Sequence, residues 1–290
     1  MYKARALQYA VEHSELADEA WVVYLDEESQ ITGSAVRGIH AAVEEEEATG
    51  GYRIGQGAIL YHRDLTRYPL LTLADSLRTG DDMGRFYLQH RLGRTFFGLH
   101  GSFIVARNSV AKEIGFDFGP EGSITEDSFW ALSAMERGYR SRWVDGFVEE
   151  QSTRSIMDFL RQRRRWFLGL ILVVRRAPVN WRWRVLLCAS LIVWGVAWTG
   201  ILYTYAQLFV GVEAPEPTRW LGNFSFAVYV VLYVVGLRVN LDAQDRRKGI
   251  HRVGWYLAQV ALMPVFALME AAGILYALAR PDFGFHVVSK

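Results

Sequence analysis

The residues best suited to chemistry lie in three places. Asp26, Glu27 and Glu28 directly follow the apolar run WVVYL at 21–25. In an extended chain, alternation puts Asp26 and Glu28 on one side and Glu27 on the other. Two carboxylates on one side suit a hard cation, Mg2+ or Mn2+, which would bridge a diphosphate and neutralise it as it leaves. Acids after a strand are also common as a solvated turn. Thr125, Glu126 and Asp127 open an apolar helical pattern, TEDSFWALSAMERGY. The helix dipole and unpaired N–H groups favour Asp127 as an anion, ready to take a proton from an attacking hydroxyl. Taken alone, this second motif favours an ordinary helix-start carboxylate. The third place is Gln162 to Trp166 in SIMDFLRQRRRWFLGLI. There Gln162, Arg165 and Trp166 share one helical face and Ile156, Leu160, Phe167 and Ile171 another. Arg165 could hold a diphosphate bidentately, and Trp166 could stack on a sugar ring. Arg161, Arg163 and Arg164 read as a basic anchor to anionic lipid.

These groups need a scaffold, and the first half of the chain supplies alternating strand and helix signals. Strands are expected at 21–25, 59–61 and 103–106, and a helix from Ser128 to Arg137 closed by Gly138. That alternation predicts an α/β domain with ligands beyond the carboxyl ends of its strands. Ser155 and Asp158 form a capping pattern that starts the helix carrying the third motif.

Charge divides the chain. Residues 1–160 hold 25 of the 31 acids and 16 of the 32 bases, a balance of −9, whereas residues 161–290 balance at +10. The single cysteine, Cys188, excludes an internal disulfide, and the histidines show no zinc-ligand spacing. The first residues carry no apolar core of the kind a signal peptide needs.

Stretches 185–212 and 220–237 contain no charge and are long enough to span a bilayer, which takes about 20 apolar residues. The third, 253–279, carries Pro264 and Glu270, and a carboxylate at mid-bilayer costs about 2.5–3.5 kcal/mol even on lenient scales. A break or re-entrant turn is therefore expected at Pro264. Arg175, Arg176, Arg182 and Arg184 before the first span, and Arg246, Arg247, Lys248 and Arg252 after the second, put the acidic EAPEPTRW loop outside and the first half in the cytoplasm.

An acidic pair after a strand, then TED, then QxxRW and membrane spans, resembles the family 2 glycosyltransferases that include cellulose, chitin and hyaluronan synthases. The chain is more closely similar to egghead-type β-1,4-mannosyltransferases in KARALQY, WVVYLDEES, GQGAILY, LTLADSLRTGDDMGR, HGSFIVAR, TED, DFLRQRRRW and FHVVSK. The resemblance implies a GT-A-like, Rossmann-like catalytic domain at 1–150. Interfacial helices at 151–184, a membrane region at 185–280 and a gating-like tail at 281–290 would follow. It implies inverting transfer of a hexose, mannose from GDP-mannose with a UDP-hexose as the alternative, to a lipid-linked sugar or glycan acceptor at the plasma membrane.

By residue, it implies Asp26 and Glu28 for Mg2+ or Mn2+ and Asp127 as base with Glu126 beside it. Gln162, Arg165 and Lys3 would take the donor diphosphate, and Trp166, Gly101 and Ser102 the acceptor. Membrane lipid is an expected partner and nucleic acid is not. Members of this group begin with membrane helices and a base-binding strand, whereas Lys3 and Arg5 already lie beyond that point, so the domain is expected to be N-terminally incomplete. A processive β-glycan synthase and a non-catalytic membrane scaffold are the rival expectations. Asp75, Asp81 and Asp82 default to surface salt bridges, and Glu44 to Glu47 to a solvated helix end or loop.

Overall fold

The computed structural model describes residues 3–119, 124–211, 213, 215–244 and 250–283. Expectations for Arg246, Arg247, Lys248 and the FHVVSK tail fall outside these residues. The described elements run α1 (Lys3–Glu12), β1 (Trp21–Tyr24), β2 (Gln30–Ile31), α2 (Gly33–Thr49), β3 (Ile54–Leu60) and α3 (Pro69–Asp81). A π-helical turn (Asp82–Phe86) leads into α4 (Tyr87–Arg91), β4 (Ile104–Arg107), α5 (Asn108–Ile114), α6 (Glu126–Glu136) and β5 (Ser141–Glu149). Four long helices complete the chain: α7 (Ile156–Arg176), α8 (Trp181–Val210), α9 (Glu216–Ala243) and α10 (Ile250–Ala279).

Among the described residues the strands form one mixed sheet in the order β1-β4-β3-β5-β2. Only β3 and β5 pair in parallel. β3 is buried along its whole length and, apart from Gln56, is apolar or small, IGQGAIL, as expected where helices cover both faces. One face packs Ile54, Ile104 and Ala106 against Val110 and Trp130 of α5 and α6. The other packs Ile59, Val105, Val144 and Val148 against Ala35 and Ala42 of α2. The sequence signal at 59–61 caught only the end of β3, because Gly55, Gln56 and Gly57 hide its beginning. These glycines are needed: a Cβ on Gly57 would lie 2.1 Å from the Phe103 ring. Phe103 itself drops out of the expected strand, with φ +56 in the left-handed region that side chains avoid.

Helix caps follow the sequence. Thr32 accepts from the Ala35 N–H to start α2, and Ser155 accepts from the Asp158 N–H to start α7. The acidic run in α2 is not wholly solvated: Glu46 is buried, paired with Arg53 and Arg107.

α8, α9 and residues 251–279 are each long and apolar enough to cross a membrane. The mixed-sheet domain and these helices pack directly on one another. α9 lies on α3 so closely that a Cβ on Gly236 would meet the Ser76 carbonyl oxygen at 1.8 Å, and one on Gly80 the Leu232 carbonyl oxygen at 2.0 Å. Asn240 of α9 accepts the Tyr61 N–H at 3.0 Å, extending the hydrogen bonding beyond β3.

The break expected at Pro264 does not occur; α10 is continuous through it. Neighbouring helices stabilise a proline that would weaken an isolated helix. Tyr205 of α8 donates to the Pro264 carbonyl oxygen at 2.9 Å, and Met263, Phe266 and Met269 are buried on either side. Glu270 is not a lone charge, since its carboxylate pairs with Arg163 of α7. The helix runs against α3, where Gln259 donates to the Leu73 carbonyl oxygen, and onward to α7, where Asp282 lies 3.5 Å from Arg164. Its end is thus delivered beside the QRRRW segment by an unbroken helix.

Candidate functional site

Beyond β1 the chain turns at 25–29 rather than continuing as a strand. The turn still brings Asp26 and Glu28 together, and adds Glu150 from just past the end of β5, the ligand oxygens of all three lying within 4.8 Å of one another. Three carboxylates make a hard-oxygen set of the kind Mg2+ or Mn2+ takes. Sequence spacing could not reveal Glu150, which arrives from 122 positions beyond Glu28 through the pairing of β2 with β5. Its carboxylate is oriented by Ser29 Oγ at 3.0 Å and Tyr61 Oη at 3.1 Å.

Ser102 belongs to this support. It is fully buried, lies 2.7 Å from Ser29 Oγ and accepts from the Asp26 N–H. Its hydroxyl therefore holds the acidic turn rather than lining an open acceptor surface. Gly101 does face the site: a Cβ there would approach Lys3 Nζ at 3.1 Å, Asp127 Oδ2 at 3.4 Å and Asp26 Oδ1 at 3.5 Å. Glycine keeps that space clear. The strained Phe103 follows directly, locating the cost where the HGS segment must present Gly101.

Lys3 enters from α1. Its ammonium donates to Asp26 Oδ1 and to the Gly101 carbonyl oxygen, and lies 3.9 Å from Glu126. Burial works against its charge, but Asp26 and Glu126 outweigh it and hold the pKa above its ordinary value. Asp127 begins α6 and accepts the Ser128 N–H at 2.6 Å. The helix-start effect expected to keep it anionic is outweighed: burial, then the neighbouring Glu126 charge, push its pKa up to about 7, against the pull of Lys3. Glu126 is raised too, by burial first, with Lys3 opposing. A base poised near neutrality accepts a proton readily and can still be found ionised.

α7 is seated on the TED segment through Gly169, where a Cβ would lie 2.4 Å from Thr125 Cγ2. Arg165 thereby comes under the fields of Asp26, Glu126, Asp127 and Glu28, which only partly offset the burial that lowers its pKa. Gln162 is buried and accepts from Arg163 Nη1 at 3.0 Å. Trp166 stacks beneath two guanidinium groups, Arg78 at 4.4 Å and Arg163 at 4.7 Å from the ring centroid. Arg78 also covers the Tyr61 ring at 4.2 Å, which joins this aromatic end of the site to Glu150.

Several charges thought to be superficial are internal. Arg163 and Arg164 are buried, Arg163 pairing with Glu270 of α10 and Arg164 lying over Tyr276 of α10 and 3.5 Å from Asp282 just beyond it. Asp75 is buried against Arg163. Asp82 is buried in the π-helical turn, accepting the Ile59 N–H at 2.9 Å and lying 3.1 Å from His100. Burial pushes the Asp82 carboxyl well up and the His100 imidazole well down. Only Asp81 keeps a partly exposed pair, with Arg85 at 2.5 Å.

Known proteins share this arrangement of sequence. The chain is 33% identical over 297 residues to the β-1,4-mannosyltransferase egh of Drosophila melanogaster, and 34% identical over 298 residues to the β-1,4-mannosyltransferase bre-3 of Caenorhabditis elegans. In both cases all of this chain is covered and 63% of the relative, so it spans a little under two thirds of the length of the curated proteins it matches. The family model for glycosyl transferase family group 2 matches residues 21–241, from β1 to the end of α9. With the acidic turn, the TED helix and the QRRRW helix all inside that match, the chain belongs to glycosyl transferase family group 2.

Proposed function

We propose that the chain carries an inverting hexosyltransferase site on the cytoplasmic face of the plasma membrane, moving mannose from GDP-mannose to a lipid-linked sugar. The observation that carries this reading is the convergence of Asp26, Glu28, Glu150, Asp127, Lys3 and Arg165 around the side-chain-free space at Gly101. Mannose rests on the names of the relatives.

Asp26, Glu28 and Glu150 would hold Mg2+ or Mn2+, and the cation would supply Lewis-acid neutralisation of the nucleoside diphosphate leaving group. Lys3 and Arg165 add positive charge for the same diphosphate, Arg165 in the planar form suited to paired phosphate oxygens. Asp127 takes the proton of the acceptor hydroxyl as its oxygen attacks the anomeric carbon from the face opposite the departing diphosphate. Trp166 offers an apolar ring to the acceptor sugar, held flat by Arg78 and Arg163. The basic residues flanking α8 and the acidic loop between α8 and α9 support a cytoplasmic domain.

The test is incubation of the purified chain in detergent with GDP-mannose, Mn2+ and a β-glucosyl lipid. One added hexose, detected by mass spectrometry with β configuration by NMR, is the expected result. Absence of transfer from every nucleotide sugar supplied would refute the reading.

A further inference from the structure

Arg163 stands out because every part of its guanidinium is engaged although the residue is only 2% exposed. Nη2 donates to Asp75 of α3 at 3.0 Å, Nε to Glu270 of α10 at 2.8 Å and Nη1 to Gln162 of its own helix at 3.0 Å. The planar group also covers the rings of Phe159 and Trp166, at 4.0 and 4.7 Å. Gly273 of α10 makes the approach possible, since a Cβ there would lie 2.8 Å from Arg163 Cβ. A buried charge of this kind is costly unless it is fully paired, so its retention calls for a local reason. Lipid anchoring is not that reason, because the side chain is inaccessible. Stability alone accounts for it poorly, since well-packed apolar groups replace buried ion pairs at little cost or with a gain.

The contacts give a more specific reason. Asp75 and Glu270 come from two helices and fix the plane and rotation of the guanidinium, and the guanidinium then fixes the Gln162 amide and one face of Trp166. Lysine offers a point charge and no planar fork, so it could not make the three directed bonds and the two stacking contacts at once. We propose that Arg163, clamped by Asp75 and Glu270, is a positioning residue for acceptor binding, setting Trp166 in the orientation that receives the acceptor sugar. This rests on the function proposed above. It adds that α10, a helix that supplies no group to the acidic turn or the TED segment, acts on acceptor use through Glu270.

The test uses the full chain in detergent micelles. Asp75→Asn, Arg163→Met and Glu270→Gln are combined, so that no unpaired charge is left buried, and Glu270→Gln is also made alone. Thermal unfolding reports folding, and KM and kcat are measured separately for GDP-mannose and for a β-glucosyl lipid. The triple variant is expected to unfold near the wild-type temperature with acceptor kcat/KM reduced about 100-fold, the scale of a misplacement of about 1 Å, and donor KM changed far less. Glu270→Gln, which keeps the Arg163–Asp75 pair, is expected to lose about tenfold on the acceptor alone, a smaller displacement on the same scale. Unchanged acceptor kinetics in a folded variant, or equal losses for donor and acceptor, would overturn the proposal. If the triple variant does not fold, Glu270→Gln decides by the same criteria. Should the unaltered chain ignore GDP-mannose, the sugar assignment fails separately, and the variants are compared on the donor and acceptor it does use.

Discussion

Asp127 is the residue whose chemistry depends most on its surroundings. With its pKa near 7, the ionised form that the proposed base role requires is depleted in mildly acid solution. The transfer rate is therefore expected to rise with pH through about 7 and level off above it, measured as kcat at saturating donor and acceptor. The same shift has an opposite effect on folding. The native chain keeps a proton that the unfolded chain releases above its ordinary value of 3.8, so this group lowers stability as pH climbs from about 4 to about 7. Asp127→Asn should bind donor normally in a calorimetric titration and lose about 10²- to 10⁴-fold in rate. A second expectation separates Glu150 from its surface neighbours. Glu150→Gln should raise the Mg2+ or Mn2+ concentration for half-maximal transfer by about tenfold or more, whereas Glu27→Gln, on the exposed side of the turn, should leave it unchanged. That Asp26, Glu28 and Asp127 would come together was legible in the sequence because each sits beside a short apolar element with a clear boundary. Glu150 was not, since it follows an ordinary strand and reaches the acidic turn only through strand pairing. Ser102 was misread for the reverse reason, its polarity suggesting ligand contact where the fold uses it as a buried brace.

The helices show which sequence signals survive packing. Length and hydropathy located α8 to within four residues and α9 to within six, and the Ser155 cap marked the start of α7. Proline and a lone carboxylate were poor guides to α10, because both are answered by partners on other helices, Tyr205 and Arg163. Arg163 and Asp75 were misassigned for the same reason, as one-dimensional charge spacing cannot show that two exposed-looking runs face each other. The glycines at helix contacts offer a direct check. Gly236→Val should destabilise the protein by about 1–3 kcal/mol or more by forcing α9 from α3, read as a lowered unfolding temperature in detergent. Gly254→Ala on α10, with nothing within 4 Å of the added carbon, should be neutral or slightly stabilising through helix propensity.

For the molecule as a whole, the split of acids and bases read from the sequence corresponds to a division of labour between a mixed-sheet domain and long apolar helices, yet the two are not separate bodies. The three candidate spans predict that the chain stays with the membrane pellet after an alkaline carbonate wash and enters solution only with detergent, measured by immunoblot of the two fractions. Mixed-sheet architecture was anticipated only as α/β alternation. The order β1-β4-β3-β5-β2 depends on pairings between distant strands, which no local periodicity encodes. The contact between α3 and α9 also bears on how the protein is made. Tyr61 emerges from the ribosome 179 residues before Asn240, the residue that accepts its N–H, and α3 must wait equally long for the glycine-lined surface that covers Leu73 and Ala74. A gene truncated before α8 to obtain a soluble catalytic fragment would therefore yield a chain with an open apolar flank, prone to aggregate during expression. Biochemistry on this protein has to begin with the membrane helices attached.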